Sequence, residues 1–198
     1  MTYLLGSFTQ NKNMYTVQPS SQGALHIISG TMFGGKTSEL IKRAKENPGL
    51  IFNHKLDMRY GECGIFSHSG EYLQCVSISS LEEIPSTPNY ECTKHIYIDE
   101  FQFFKDSISI IQRMVEDDNK IVTCSGLLVD TNRVPFGNLL YLVPLSDTYV
   151  EKKGICCEKT CLKPGLFVTN KNTKESCVNV GFEQYILLCR YHYLKVNQ

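Results

Sequence analysis

The sequence predicts an α/β fold in which an open, mostly parallel sheet carries helices on both faces, with a small cysteine-marked lobe attached. Two observations give the sheet. The apolar runs ALHIIS, GLIFNHK, YLQCVSI, KHIYIDE and KIVTCSGL alternate with helix-patterned stretches between residue 24 and about residue 145. These runs are apolar nearly throughout instead of alternating, which is the pattern of strands buried on both faces. A change of texture gives the rest. Residues 1–22 are polar and rich in Ser, Gln and Asn, and read as a flexible leader; residues 23–150 form the core; residues 151–198 are short, carry cysteines and show no convincing helix. A lobe that small lacks an apolar core of its own and needs another staple.

The first strand, around Leu25–Ser29, runs directly into GTMFGGKT at residues 30–37. Gly, four free positions, then Gly-Lys-Thr is a phosphate-binding pattern, and here it has the context it needs: a strand before it and a helix after it. The loop residues Gly30, Thr31, Met32, Phe33, Gly34 and Gly35 would surround an anion with backbone N–H groups at a helix N-terminus. Lys36 would reach the β and γ phosphates, and the Thr37 hydroxyl would sit on magnesium. The helix follows in SELIKRAKEN, with Leu40, Ile41 and Ala44 at helical spacing and no Gly or Pro before Pro48.

The second strand, GLIFNHK, leads into HKLDMRY at residues 54–60. Asp57 and Arg59 stand two apart there, so their side chains share one side if the chain stays extended. A carboxylate and a guanidinium suit a transferring phosphoryl group and its metal. After YLQCVSI comes KHIYIDE, which delivers Asp99 and Glu100 to the loop edge of the sheet. Asp99 is placed to hold magnesium directly or through water, because hard cations take carboxylate oxygens. Glu100 points another way and is the candidate general base toward an acceptor hydroxyl. In FQFF at 101–104 the rings are either core or the wall of an acceptor pocket, with Gln102 orienting polar atoms. The helix of SISIIQRMVED then shows the stripe Ile108, Ile111, Met114 and Val115, and KIVTCSGL is the last apolar strand of the core.

Charge and cysteines narrow the classes. Twenty basic and twenty acidic side chains cancel in 198 residues, so no polyanionic partner such as DNA or a lipid surface is advertised. No apolar run is long enough for a membrane span, and MTYLLGSFTQNKN lacks the basic start and apolar core of a signal peptide. Nine cysteines, several of the last five closely spaced, suggest thiolates on a metal in a reducing, cytoplasmic setting. Two cysteines from Cys156, Cys157 and Cys161, joined by Cys189 and His192, supply three sulfurs and one imidazole. That soft tetrahedral set fits a structural zinc with no open position.

The stretches TMFGGKTSELIKR, HKLDMRY, IYIDEFQFF, PFGNLLYLVPL, CCEKTC and FEQYILLCRYHY together resemble the zinc-containing thymidine kinases of animals, many bacteria and large DNA viruses, with a viral member expected. The resemblance runs in order from about residue 25 to residue 193. It implies a RecA-like P-loop core, a zinc lobe carrying a lasso-like lid, and transfer of the γ-phosphoryl of ATP to the 5′-hydroxyl of thymidine or deoxyuridine. It implies further that Glu100 is the base, that Lys36 and Thr37 hold phosphates and magnesium, and that Met32 and Phe103 line the base pocket. A loop of about Cys177, Val178, Asn179, Val180 and Gly181 to Tyr185 would cover thymine through backbone groups. Thymidine triphosphate as feedback inhibitor, a homotetramer and, for a viral member, the host cytoplasm belong to the same expectation. Three positions depart from the family: Gly34 replaces a serine or alanine, Thr131 stands where an aromatic residue usually covers the substrate, and the first metal pair is spaced differently. Counting from PFGNLLYLVPL favours Cys156 as its first member, while Cys157 has the shorter loop to Cys161.

Three other classes share parts of this pattern. A kinase for another nucleoside or a mononucleotide would differ in lid and acceptor pocket. A motor or recombinase-like ATPase would use Glu100 on water and show a basic surface for DNA, which the charge balance disfavours. A non-enzymatic zinc module would have no use for the phosphate and magnesium set.

Overall fold

Every neighbouring pair of strands in the main sheet is parallel, as continuous apolar runs require. A computed structural model of the chain describes residues 22–57, 64–67, 70–105, 108–170 and 185–197. Strand β1 (Ala24–Gly30) leads through the phosphate-loop stretch to helix α1 (Lys36–Glu46), and β2 (Leu50–His54) follows. A hairpin of β3 (Gly64–Phe66) and β4 (Tyr72–Gln74) precedes β5 (Val76–Ile78) and β6 (His95–Ile98). Helix α2 (Ser109–Glu116), β7 (Ile121–Gly126), the short α3 (Leu139–Leu142) and β8 (Thr148–Lys152) complete the core. The sheet order is β5-β2-β6-β7-β1-β8. In the lobe, β9 (Phe167–Asn170) pairs antiparallel with β10 (Tyr185–Leu188), and α4 (Arg190–Val196) follows.

Side-chain alternation along the strands divides the core into two layers. Leu25, Ile27, Phe52, Ile96, Ile98 and Val122 face Ile111 and Met114 of α2, Leu81 and Ile84 of a 3₁₀ turn, and Leu139 and Leu142 of α3. Ile28 and Tyr97 face the opposite way, onto Leu40, Ile41 and Ala44 of α1. The expected stripe on α2 is present, with Ile111 and Met114 fully buried and Ile108 and Val115 partly so. No helix among the described residues is long and apolar enough to cross a membrane.

Three expectations change. YLQCVSI is not one strand: β4 belongs to the hairpin and β5 to the sheet edge, with the break at buried Cys75. Tyr72 and Val76 are 48% and 40% exposed, so the run is peripheral and not a central strand buried on both faces. A sixth strand, β8, was hidden because it is a half-exposed edge, and it continues past Val150 to Lys152. The segment read as helix-free contains α4, a seven-residue helix without a fully buried residue, which therefore offers little apolar periodicity.

Ile111→Ala would leave a cavity in the larger apolar layer. The expected loss is about 2–5 kcal/mol of unfolding free energy, measured by denaturant titration, with unchanged zinc content.

Candidate active site

The phosphate loop is shaped by one left-handed glycine and one close approach. Gly35 takes a left-handed φ of +83° at the N-cap of α1, a conformation that L side chains rarely adopt. A Cβ at Gly34 would lie 2.6 Å from the Lys152 carbonyl oxygen, so this approach favours glycine. The end of β8 supports this loop: Thr31 N–H donates to that carbonyl at 3.0 Å, and Lys152 Nζ pairs with Glu39 of α1 at 2.9 Å. The Lys152 ammonium is the largest cause holding the Glu39 carboxyl below its usual range. Phe33, at φ 61°, adds a left-handed non-glycine residue to the loop, a conformation with no local sequence signal. Lys36 Nζ donates to the Thr31 carbonyl at 2.9 Å, so the ammonium folds back over the loop.

The register of the sheet places the acids. Ile27 and Ile98 both lie beside Cys124, so β1 and β6 run in parallel to the same edge of the sheet with β7 between them. Thr37 Oγ1 then donates to Asp99 Oδ2 at 2.9 Å. Asp99 is buried; burial first, then the neighbouring Glu100 carboxylate, push its pKa up to about 6, partly offset by the hydroxyl of Thr37. Asp99 Oδ1 and Ser125 Oγ are buried atoms that complete no hydrogen bond. A hydroxyl and a carboxylate with an unsatisfied buried oxygen form the hard-oxygen donor set that suits magnesium. Glu100 follows in a left-handed backbone conformation, at φ 50° and ψ 40°. Its Oε2 accepts from Gln102 Nε2 at 2.5 Å.

The loop and Glu100 open on one cavity of about 440 Å³, lined by residues 29–38, Glu100, Phe103, Thr131 and Tyr185 among others. FQFF divides its roles: Phe101 and Phe104 are buried in the core, whereas Phe103 lines the cavity. Phe103 meets Phe136 edge-on with ring centroids 5.7 Å apart. Phe136 thus adds an aromatic wall near Thr131, and the sequence motif PFG contained it without marking its role. Phe66 of β3, Leu128 and Arg190 are further lining residues that sequence reasoning missed. Gln102 is 3% exposed and its amide is engaged within the protein, a different role from orienting a ligand directly. Asp57 also lines the cavity, but the chain is not extended there. It turns after β2, with Asp57 N–H donating to the His54 carbonyl at 2.8 Å and Asn53 Nδ2 donating to its carboxylate at 2.9 Å. Arg59 and the lid residues Cys177, Val178, Asn179, Val180 and Gly181 lie outside the described residues.

In the lobe, Cys156, Cys161, Cys189 and His192 converge, with their ligand atoms all within 4.8 Å of one another. Donors on a tetrahedral zinc stand roughly 3.8 Å apart for two sulfurs and roughly 3.5 Å for sulfur and nitrogen. Here Cys161 and Cys189 Sγ are 3.9 Å apart, and His192 Nδ1 is 3.4 Å from Cys156 and 3.3 Å from Cys189. The cluster can hold zinc. The His192 backbone N–H, followed by the neighbouring thiols and the His192 ring, holds the Cys189 thiol down at about 7, toward the thiolate a metal requires. Cys157 is exposed and outside the cluster, which separates the two candidates left by spacing.

A phosphate loop and a strand-end carboxylate sharing a cavity with an aromatic wall define a nucleotide-dependent phosphotransferase of the α/β class. The chain belongs to the thymidine kinase family, whose sequence pattern matches residues 23–193. A thymidine kinase of Oryza sativa subsp. japonica is 34% identical over 189 residues, spanning 89% of this chain and 68% of that protein. Thymidine kinase a of Arabidopsis thaliana is 30% identical over 182 residues, spanning 87% and 75%. Both relatives are plant proteins, so the viral grouping rests on the motif resemblance alone.

Cys156→Ser should lower bound zinc toward zero, whereas Cys157→Ser should retain it. Metal analysis of the two purified variants checks this, and equal retention would mean that the two thiols substitute for one another.

Proposed function

We propose that this chain transfers the γ-phosphoryl group of ATP to the 5′-hydroxyl of thymidine or deoxyuridine. The observation that carries the reading is the opening of the phosphate loop, Glu100 and the Phe103–Phe136 pair onto one cavity. An acceptor seated against those rings would place its hydroxyl between the base and the donor phosphate. Glu100 takes the hydroxyl proton as the oxygen attacks the γ-phosphorus, the bond to the β-phosphate oxygen breaks, and ADP leaves. Lys36 and Arg59 stabilise the equatorial oxygens, and Asp57 supports the same end of the cavity. Thr37 and Asp99 would hold magnesium, which when bound neutralises charge on the β and γ oxygens. The loop residues from Gly30 to Gly35 hold the phosphates through their backbone.

Met32, Phe103, Thr131 and Tyr185, with the segment Cys177–Gly181 as lid, form the nucleoside side in this reading. The zinc held by Cys156, Cys161, Cys189 and His192 is structural and fixes both ends of the lid segment. On the family pattern, we extend the proposal to a cytoplasmic homotetramer inhibited by thymidine triphosphate. That inhibitor would lay its phosphates on the loop while its base occupies the acceptor pocket.

Two measurements test the proposal. Across a panel of nucleosides and nucleotides at equal concentration, thymidine and deoxyuridine should be phosphorylated far faster than purine nucleosides or thymidine monophosphate; a purine or a monophosphate as best acceptor would overturn the substrate assignment. Glu100→Gln should lower kcat by roughly 10²- to 10⁴-fold with ATP affinity nearly unchanged. A kcat within about threefold of the parent would place the base elsewhere.

A further inference from the structure

Gln102 combines burial with use of both ends of its amide, although it lies in the wall of the cavity. It is 3% exposed. Its Nε2 donates to Glu100 Oε2 at 2.5 Å, and its Oε1 accepts from Leu127 N–H at 2.9 Å. These partners fix which end of the amide is which. Reversing the amide would set its oxygen against a carboxylate oxygen and its NH₂ against a backbone N–H, so the donor-and-acceptor pattern permits one orientation. The surroundings also restrain it: a Cβ at Gly126 would lie 2.6 Å from Gln102 Oε1, so the end of β7 closes against the amide.

The two partners belong to different parts of the site. Glu100 ends the β6 segment and sits at φ 50°, a conformation disfavoured for a non-glycine residue. Leu127 begins the stretch Leu127–Thr131, which lines the acceptor side of the cavity. We infer that Gln102 is a positioning residue that aims the Glu100 carboxylate by one oxygen and ties its direction to the acceptor wall. A charged partner such as lysine would also anchor the carboxylate but would reduce its basicity; a neutral amide fixes direction at smaller cost to proton affinity. The inference rests on Glu100 being the base.

Gln102→Met keeps most of the volume and removes both hydrogen bonds. With the Gln102 bond to the base removed, kcat should fall by about 10²-fold, the scale expected when a reacting group is misplaced by about 1 Å, while KM for ATP stays within about twofold. Thermal unfolding and ATP titration of the same variant show whether it is folded. The discriminating measurement is a double-mutant cycle with Glu100→Gln. Once the base is gone its direction has no value, so adding Gln102→Met to Glu100→Gln should lower kcat by less than about threefold. Full multiplication of the two losses in a folded double variant, or Gln102→Met with parental kcat, overturns the positioning role. If Glu100→Gln itself keeps parental kcat, the base assignment fails instead, and the two failures are thus distinguishable.

Discussion

The Thr37–Asp99 hydrogen bond, 2.9 Å long, is the contact on which the arrangement of the site depends. It joins the first turn of α1, the helix that follows β1, to the residue after β6, and β1 and β6 are separated in the sheet by β7. Parallel pairing in one register brings β1 and β6 to the same edge, and continuous apolar burial on both faces holds that register. A one-residue slip would exchange the two apolar layers, sending Ile98 to the α1 side and Tyr97 into the larger core. It would also move Asp99 out of reach of Thr37. The chemistry of the site and the packing of the sheet are therefore one constraint.

The lobe is joined to this edge through several contacts. Gly154 N–H donates to Thr31 Oγ1 at 3.0 Å, linking the start of the lobe to the phosphate loop. Leu187 of β10 packs so close to Gly154 that a Cβ there would lie 2.6 Å from it. On the acceptor side the Arg133 guanidinium lies over Tyr193 at 5.2 Å and over Phe167 at 5.9 Å, and Tyr193 neighbours the cluster residue His192. Cation–aromatic contacts of this kind contribute about 0.5–2 kcal/mol each, depending on desolvation. The Cys156–Cys161–Cys189–His192 cluster is therefore linked through α4 to Arg133 and Phe167 of the cavity wall.

Much of this was legible in the sequence where one physical rule dominates. The phosphate loop was visible because glycine conformations, lysine and threonine must occur at fixed spacing, and Asp99 and Glu100 because a β-rich run ends on two acids. The three cluster cysteines and His192 were within reach of ligand chemistry, but spacing left Cys156 and Cys157 open. Burial and convergence distinguish them, and neither is encoded locally. The edge strand β8 and helix α4 were missed because neither carries a full apolar pattern. The Asp57 turn was missed because a hydrogen bond to His54, and not side-chain periodicity, bends the chain. Gln102 was legible as a polar residue among rings; its partners on Glu100 and Leu127 emerge only when β6 and β7 lie side by side.

The central claim is that Thr37 and Asp99 act as one seat for the metal that accompanies the donor nucleotide. The direct test is ATP affinity by calorimetry, with magnesium and with chelator, for the parent protein, Thr37→Val, Asp99→Asn and the double variant. The account predicts that magnesium strengthens ATP binding in the parent, that each single substitution removes most of that gain, and that the double variant loses little more. A magnesium gain that persists in Asp99→Asn, or losses that add in full, would contradict it.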